Sequence, residues 1–240
     1  MNESALEVLK HNLTINQTSF GYSPHSLADW ILLNSKNKNN LNRFIFNNLD
    51  KDPISRDLVF AKISDEKVTA IECVIIILSW GGIRRSNALK AFENSQIWLP
   101  ICEKIRDGKL SRQEAYDNFI YLRNKSNLNG MGPAFFTKLI FYFMNRRINS
   151  GYIMDQWTSR SINLLFSTDV VKCKLINKNK TNEYAIVSDN NNSENYEEFC
   201  LCVEKIAKLI NLSPEATELS LFSEGRGLGV WRNYVKTAHH

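Results

Sequence analysis

Between residues 111 and 147 a capped amphipathic segment, a linker holding two glycines and a strongly apolar segment follow one another, and this succession constrains the chain most. Ser111, with Glu114 three residues on, forms a capping box, and Ala115, Phe119 and Leu122 recur at helical spacing, so a helix is predicted from Ser111 to Lys125. Pro133 sits where a first helical turn favours proline and opens a second helix to Arg147. Only SNLNGMG lies between the two. Gly130 and Gly132 allow so short a linker to turn tightly, and they leave N–H groups uncovered at a helix start, where a phosphate binds well. A glycine-rich corner between two helices, without any ligand, is the other reading of the same residues.

Most of the remaining chain also reads as helix. Leu27 to Leu33 forms a short one, and Asp65 to Trp80 a buried one, capped by Ser64 or Asp65 and ended by Gly81-Gly82. Within it the β-branched run CVIIIL also fits a strand. Asp155 stands as an N-cap ahead of QWTSRSINLLF, Glu194 to Ile210 is helical, Ser213-Pro214-Glu215 starts another helix, and VWRNYVKT follows Gly225, Gly227 and Gly229. Residues 170 to 188 lose the helical period and fit a small hairpin or an irregular insertion. Asparagine runs at Asn37, Asn39 and Asn40 and at Asn190 to Asn192 mark solvated loops. The expectation is a mostly α protein, with an N-terminal helical and loop segment over 1–54 and a core over 55–235, in which 170–195 is the insertion or hairpin.

Hydrophobic residues at 43% and charged residues at 23% exclude collagen-like, coiled-coil and wholly disordered chains. The longest apolar run, Val74 to Leu78, is too short to span a bilayer, and the N-terminus shows no secretory signal, so a cytoplasmic protein without membrane contact is expected. A net charge of +5 and a pI near 8.9 suit a polyanionic partner without demanding one. The cysteines, Cys73, Cys102, Cys173, Cys200 and Cys202, lack C-x-x-C spacing, and no H-x-x-x-H pair occurs; neither a disulfide framework nor a metal site is expected.

Lys138 lies about one and a half turns into the second helix, among Phe135, Phe136, Leu139, Ile140, Phe141 and Phe143, and Asp155 follows within GYIMDQW. With Gly130, Met131 and Gly132 this pattern resembles the helix-hairpin-helix superfamily of DNA glycosylases, and more narrowly its 8-oxoguanine DNA glycosylase-like branch. The strings SWGGIRRSN, GMGPAFFTKLIFYF, IMDQW and LFSEGRGLGVWRNYV carry the resemblance over roughly residues 55 to 235. It implies two helical lobes around a DNA-binding cleft, with the helix-hairpin-helix motif near one edge. Double-stranded DNA is the implied partner, and the protein is expected as a nucleoid-associated monomer without a cofactor. In better-known members the catalytic lysine lies two residues after the second glycine. Ala134 occupies that position here, and Lys138 follows one turn later on the same face, so the resemblance implies a branch with a displaced lysine. No trailing four-cysteine cluster is present, and no iron–sulfur centre is expected.

Breaking an N-glycosidic bond passes through an oxocarbenium-like transition state, which a nearby carboxylate stabilises. Asp155 is the candidate; it can also orient water or take a proton. Lys138, desolvated by apolar neighbours, would be a better nucleophile toward the sugar C1′, forming a Schiff base and allowing abasic-site lyase activity. The plainer alternatives are an ordinary N-cap at Asp155 and a snorkelling surface lysine at Lys138. An extruded base needs a pocket, for which Trp80, Phe136, Trp157 and Trp231 are candidates, Trp80 foremost because Gly81-Gly82 open space beside it; the same aromatics also suit a core. Arg84 and Arg85, with Gly130, Met131 and Gly132, are candidates for phosphate contact, or else the arginines lie on a solvated helix face. Arg146, Arg147, Lys104, Lys109 and Lys125 would add a basic rim, and Glu224 or Arg226 would face the ligand. The expected function is hydrolytic excision of a damaged or modified base from DNA: oxidised guanine, or a hypermodified base in phage DNA as antiviral defence. The rivals are a non-catalytic helix-hairpin-helix DNA-binding module and a helical protein–protein adaptor.

Overall fold

The computed structural model describes residues 1–13, 24–34, 54–144, 150–177, 183–222 and 229–238. Among them are twelve helices and one two-stranded sheet, so the protein is mostly helical. The chain divides into two compact units, one of Ser19–Ser150 and the other of Met1–Thr18 with Gly151–His240. No helix among the described residues is long and apolar enough to cross a membrane.

After α1 (Glu3–His11), which belongs to the second unit, the first unit is built from α2 (Pro24–Asn34), α3 (Arg56–Ser64), α4 (Ala70–Trp80), α5 (Arg85–Phe92), α6 (Ser95–Arg106), α7 (Arg112–Asn124) and α8 (Pro133–Phe143). Its centre is α4, buried from Cys73 through Trp80 and packed by α2, α3, α6 and α8. A helix apolar on every side has no solvent face to offer, and so it is enclosed. The β-branched run CVIIIL is therefore helix rather than strand. The helix begins later than expected, at Ala70 instead of Asp65, because Thr69 and Glu72 form a capping box: both the N–H and the hydroxyl of Thr69 donate to Glu72 Oε2 at 2.6 Å. Ser64 instead ends α3, with Asp65 as its C-cap. The turn from α3 to α4 is tied by Arg106, whose guanidinium donates to the carbonyls of Val68 (2.7 Å), Ile63 (2.9 Å) and Asp65 (2.9 Å). The predicted capping box of α7 is present, with Ser111 N donating to Glu114 Oε2 at 2.8 Å, and the serine bonds hold the Glu114 carboxyl below its usual range.

The second unit is organised around α9 (Gln156–Phe166), which packs on α1, β1 (Cys173–Asn177), β2 (Glu183–Val187), α10 (Ser193–Ile210), α11 (Pro214–Phe222) and α12 (Val230–Thr237). The two strands pair antiparallel, with Leu175 opposite Ala185. α4 buries one serine, Ser79, whose hydroxyl donates to the Ile75 carbonyl at 2.6 Å, whereas α9 buries five polar side chains, Thr158, Ser159, Arg160, Ser161 and Asn163. Asn163 donates to the Val171 carbonyl at 2.8 Å and accepts from its N–H at 3.0 Å, completing a backbone that no strand pairs. Ser161 accepts from the Trp231 indole at 2.9 Å and donates to the Leu221 carbonyl at 3.0 Å, joining α9, α11 and α12. Burying such groups costs free energy unless they are bonded, so these links also set the register of the packing.

Arg106→Met should strand the carbonyls of Ile63, Asp65 and Val68 and lower the unfolding free energy by about 2 kcal/mol. Urea unfolding measures this, and a midpoint equal to that of the wild type would show that the α3–α4 turn stands without the guanidinium.

Candidate active site

The linker between α7 and α8 turns its apolar residues inward: Leu128 and Met131 are fully buried. Two residues take left-handed backbone, Ser126 at φ 59° and Gly130 at φ 82°. Gly130 is held by space as well as by conformation, since a β-carbon there would collide with the Asn87 carbonyl oxygen. Asn87 lies in the first turn of α5, two residues after Arg85, so the start of α5 rests against the glycine linker. Arg84, the N-cap of α5, and Arg85, its first residue, are exposed. The N–H groups of Gly130, Met131, Gly132 and Ala134 donate to nothing among the described residues, and Gly132, the N-cap of α8, offers no capping side chain. Successive uncovered amides at a helix start form a concavity suited to an anion. The Met131 side chain fills the inside of the turn, so what this residue offers a ligand is its backbone.

Lys138 is 7% exposed, and this excludes the snorkelling alternative. Its Nζ donates to the Ala134 carbonyl at 2.7 Å and lies 5.4 Å from the centre of the Phe135 ring. Side chains of a helix lean toward its N-terminus, so a lysine one turn late returns its ammonium to the level of residue 134. That is the position at which better-known members of the resembled superfamily carry their lysine. The room beside Gly81, expected to open around Trp80, is taken by the Lys138 stem.

Asp155 belongs to the other unit. It is 8% exposed and caps α9: Oδ1 accepts from the N–H groups of Trp157 (2.8 Å) and Thr158 (3.0 Å). Thr158 returns the bond, its hydroxyl accepting from Asp155 N at 3.0 Å while donating to the Ile153 carbonyl at 2.8 Å. Oδ2 accepts no hydrogen bond among the described residues. One oxygen is thus fixed by the helix and the other carries the unshared lone pairs. Around it, the Arg232 guanidinium lies 4.5 Å from the centre of the Trp157 ring, and that of Arg160 at 5.6 Å. Burial pulls Arg232 below its usual range while the Asp155 carboxylate opposes that shift. Burial pushes the Cys173 thiol up to about 12; Arg160 lowers it and Asp155 raises it, and the thiol stays protonated at neutral pH.

Of the four aromatic candidates, Trp157 alone is half-exposed, and it adjoins Asp155. Phe136 is enclosed by Phe119 and Tyr116, Trp231 is bonded through its indole to Ser161, and Trp80 packs edge-on to Tyr142 at 5.3 Å. These three are core side chains in this structure. Lys104 and Lys125 are exposed, whereas Lys109 pairs with Asp107 at 2.7 Å; Arg146, Arg147, Glu224 and Arg226 lie outside the described residues. Arg232 and Arg160 were not singled out from the sequence, where nothing ties an arginine in the last helix to an aspartate seventy-odd positions earlier. Thr158 was legible in principle, since Asp-x-x-Thr is a capping box.

The profile of a family described as "putative 8-oxoguanine DNA glycosylase OGG-like protein" matches residues 13–222. The chain belongs to that family. The match begins well before residue 55 and ends before Trp231, so the OGG-like span takes in the N-terminal segment and leaves out α12 with Arg232. No curated protein and no solved structure matches the chain.

Gly130→Ala should destabilise the protein by about 2–4 kcal/mol, combining left-handed backbone with overpacking against Asn87. Thermal unfolding reads the change, and an unaltered midpoint would separate the linker from the start of α5.

Proposed function

We propose that this OGG-like protein is a DNA N-glycosylase that excises a damaged or modified base and leaves an abasic site. The observation that carries the reading is the half-anchored carboxylate of Asp155 in a chain of this family. A carboxylate whose Oδ1 is locked to two amides is preorganised, so its Oδ2 meets developing charge without reorganising. In the hydrolytic step water adds to C1′, the bond from C1′ to the base nitrogen breaks with its electron pair leaving on the base, and a proton passes from the water to Asp155 or onward to the base. Trp157, half-exposed beside Asp155, is the assigned stacking surface for the extruded base. The backbone of Gly130 to Gly132, with Arg84 and Arg85, is assigned to phosphate, which supplies affinity rather than base choice.

Lys138 is assigned to the covalent branch of the chemistry. Its neutral amine attacks C1′, loses a proton and expels the base, and opening of the sugar ring leaves an imine on Nζ that borohydride reduces. The return of Nζ to the level of Ala134 supports this role. For the substrate we propose oxidised guanine or a hypermodified base of phage DNA, the latter making the protein a defence factor acting on double-stranded DNA in the cytoplasm.

Asp155→Asn is the discriminating variant, because asparagine caps a helix as well as aspartate does and removes only the charge. Excision on modified duplexes, scored by mass spectrometry of released base, should fall at least about hundredfold with the fold intact; full activity would reduce Asp155 to an N-cap. Lys138→Gln should abolish borohydride trapping to DNA, and a wild type that excises but never traps would make the enzyme monofunctional. Gly132→Glu should weaken binding to every duplex alike, seen by fluorescence anisotropy, and an unchanged affinity would remove the linker from the interface.

A further inference from the structure

Gly81 closes α4 with φ −68°, backbone that any residue adopts, so conformation does not call for glycine there. Space does. A β-carbon on Gly81 would stand 2.7 Å from Lys138 Cδ and 2.9 Å from Cε, well inside the roughly 3.5–4.0 Å at which carbons rest. The same lysine is buried, and its Nζ is bonded to the Ala134 carbonyl in the first turn of α8. We infer that Gly81 is a positioning residue for Lys138: its missing side chain is the slot in which the lysine stem lies, and the slot folds the ammonium back onto the start of α8. This bears on catalysis only through the reading of Lys138 as the reacting amine; the slot itself does not depend on it.

A methyl group at Gly81 is met by the far part of a flexible side chain, so the least costly response is a rotamer change that withdraws Nζ from Ala134. The helix end keeps its backbone, whereas the amine loses its fixed place. A displacement of about 1 Å at a reacting group costs on the order of a hundredfold in rate.

The test uses the full chain as Gly81→Ala, Lys138→Ala and the double variant. Native acylation with acetic anhydride, followed by peptide mass spectrometry, reads the exposure of Lys138 against exposed Lys125 as an internal reference. Lys138 should label faster in Gly81→Ala than in the wild type while Lys125 does not change. A thermal-unfolding cycle should show that Gly81→Ala destabilises the wild type more than the Lys138→Ala protein, since truncation removes the two closest atoms and leaves only the Ile77 carbonyl oxygen at 3.3 Å. Single-turnover excision should fall about a hundredfold with unchanged DNA affinity. Equal labelling in the two proteins, or equal destabilisation (including failure to fold) with and without the lysine stem, would overturn the slot. Faster labelling with undiminished excision would uphold the slot and instead overturn Lys138 as the reacting amine.

Discussion

Two missing β-carbons set how closely the end of α4 and the start of α5 approach α8 and the linker before it. The stretch from Gly81 to Asn87 runs beside the α7–α8 linker and α8 and touches them at both ends. Gly81 admits the stem of Lys138, and Gly130 admits the carbonyl of Asn87. At one end the glycine is in common helical backbone and serves only to vacate volume. At the other it also supplies a left-handed φ. Because interiors are packed without slack, a methyl group at either point would have to push aside a neighbour. The uncovered amides from Gly130 to Ala134 are thereby tied, through Asn87, to the segment that carries the exposed arginines 84 and 85.

The second unit solves a different problem. Its central helix begins at a charged residue and carries serine, threonine and asparagine into the interior, which is costly unless each group is bonded. The bonds from Asn163 to Val171, from Trp231 to Ser161 and from Ser161 to Leu221 meet that requirement for Asn163 and Ser161 while fixing which helix lies against which. Asp155 stands at the N-terminus of this helix with its cap made through one oxygen only. The same anchoring that stabilises α9 holds the carboxylate still. Capping and chemistry are thus compatible duties for one side chain, which explains why the plainer N-cap reading and the functional one both fit the local sequence.

Legibility followed the range of the interaction. The caps at Ser111 and Asp155, proline at the first turn of α8 and the general helicity are written within four or five residues, and they could be read without a fold. The start of α4 was misplaced by one short segment because two capping signals compete there, and Thr69 with Glu72 prevails over Ser64. Trp80, Phe136 and Trp231 could not be told from stacking platforms, since an aromatic at helical spacing looks the same whether it faces a ligand or another helix. The apolar neighbours of Lys138 pointed to its desolvation, whereas its fit against Gly81, at the end of α4, could not be read along the chain.

The amino-acid order alone determined where helices start and stop and that a glycine corner precedes an apolar helix bearing one lysine, because hydrogen bonds and steric limits of neighbouring residues decide such matters. Only the tertiary structure decided that Gly81 vacates the space Lys138 fills, that Met131 points inward and that two arginines crowd Trp157 beside Asp155. Those outcomes depend on which surfaces exclude water from each other, and that is a property of segments distant in sequence.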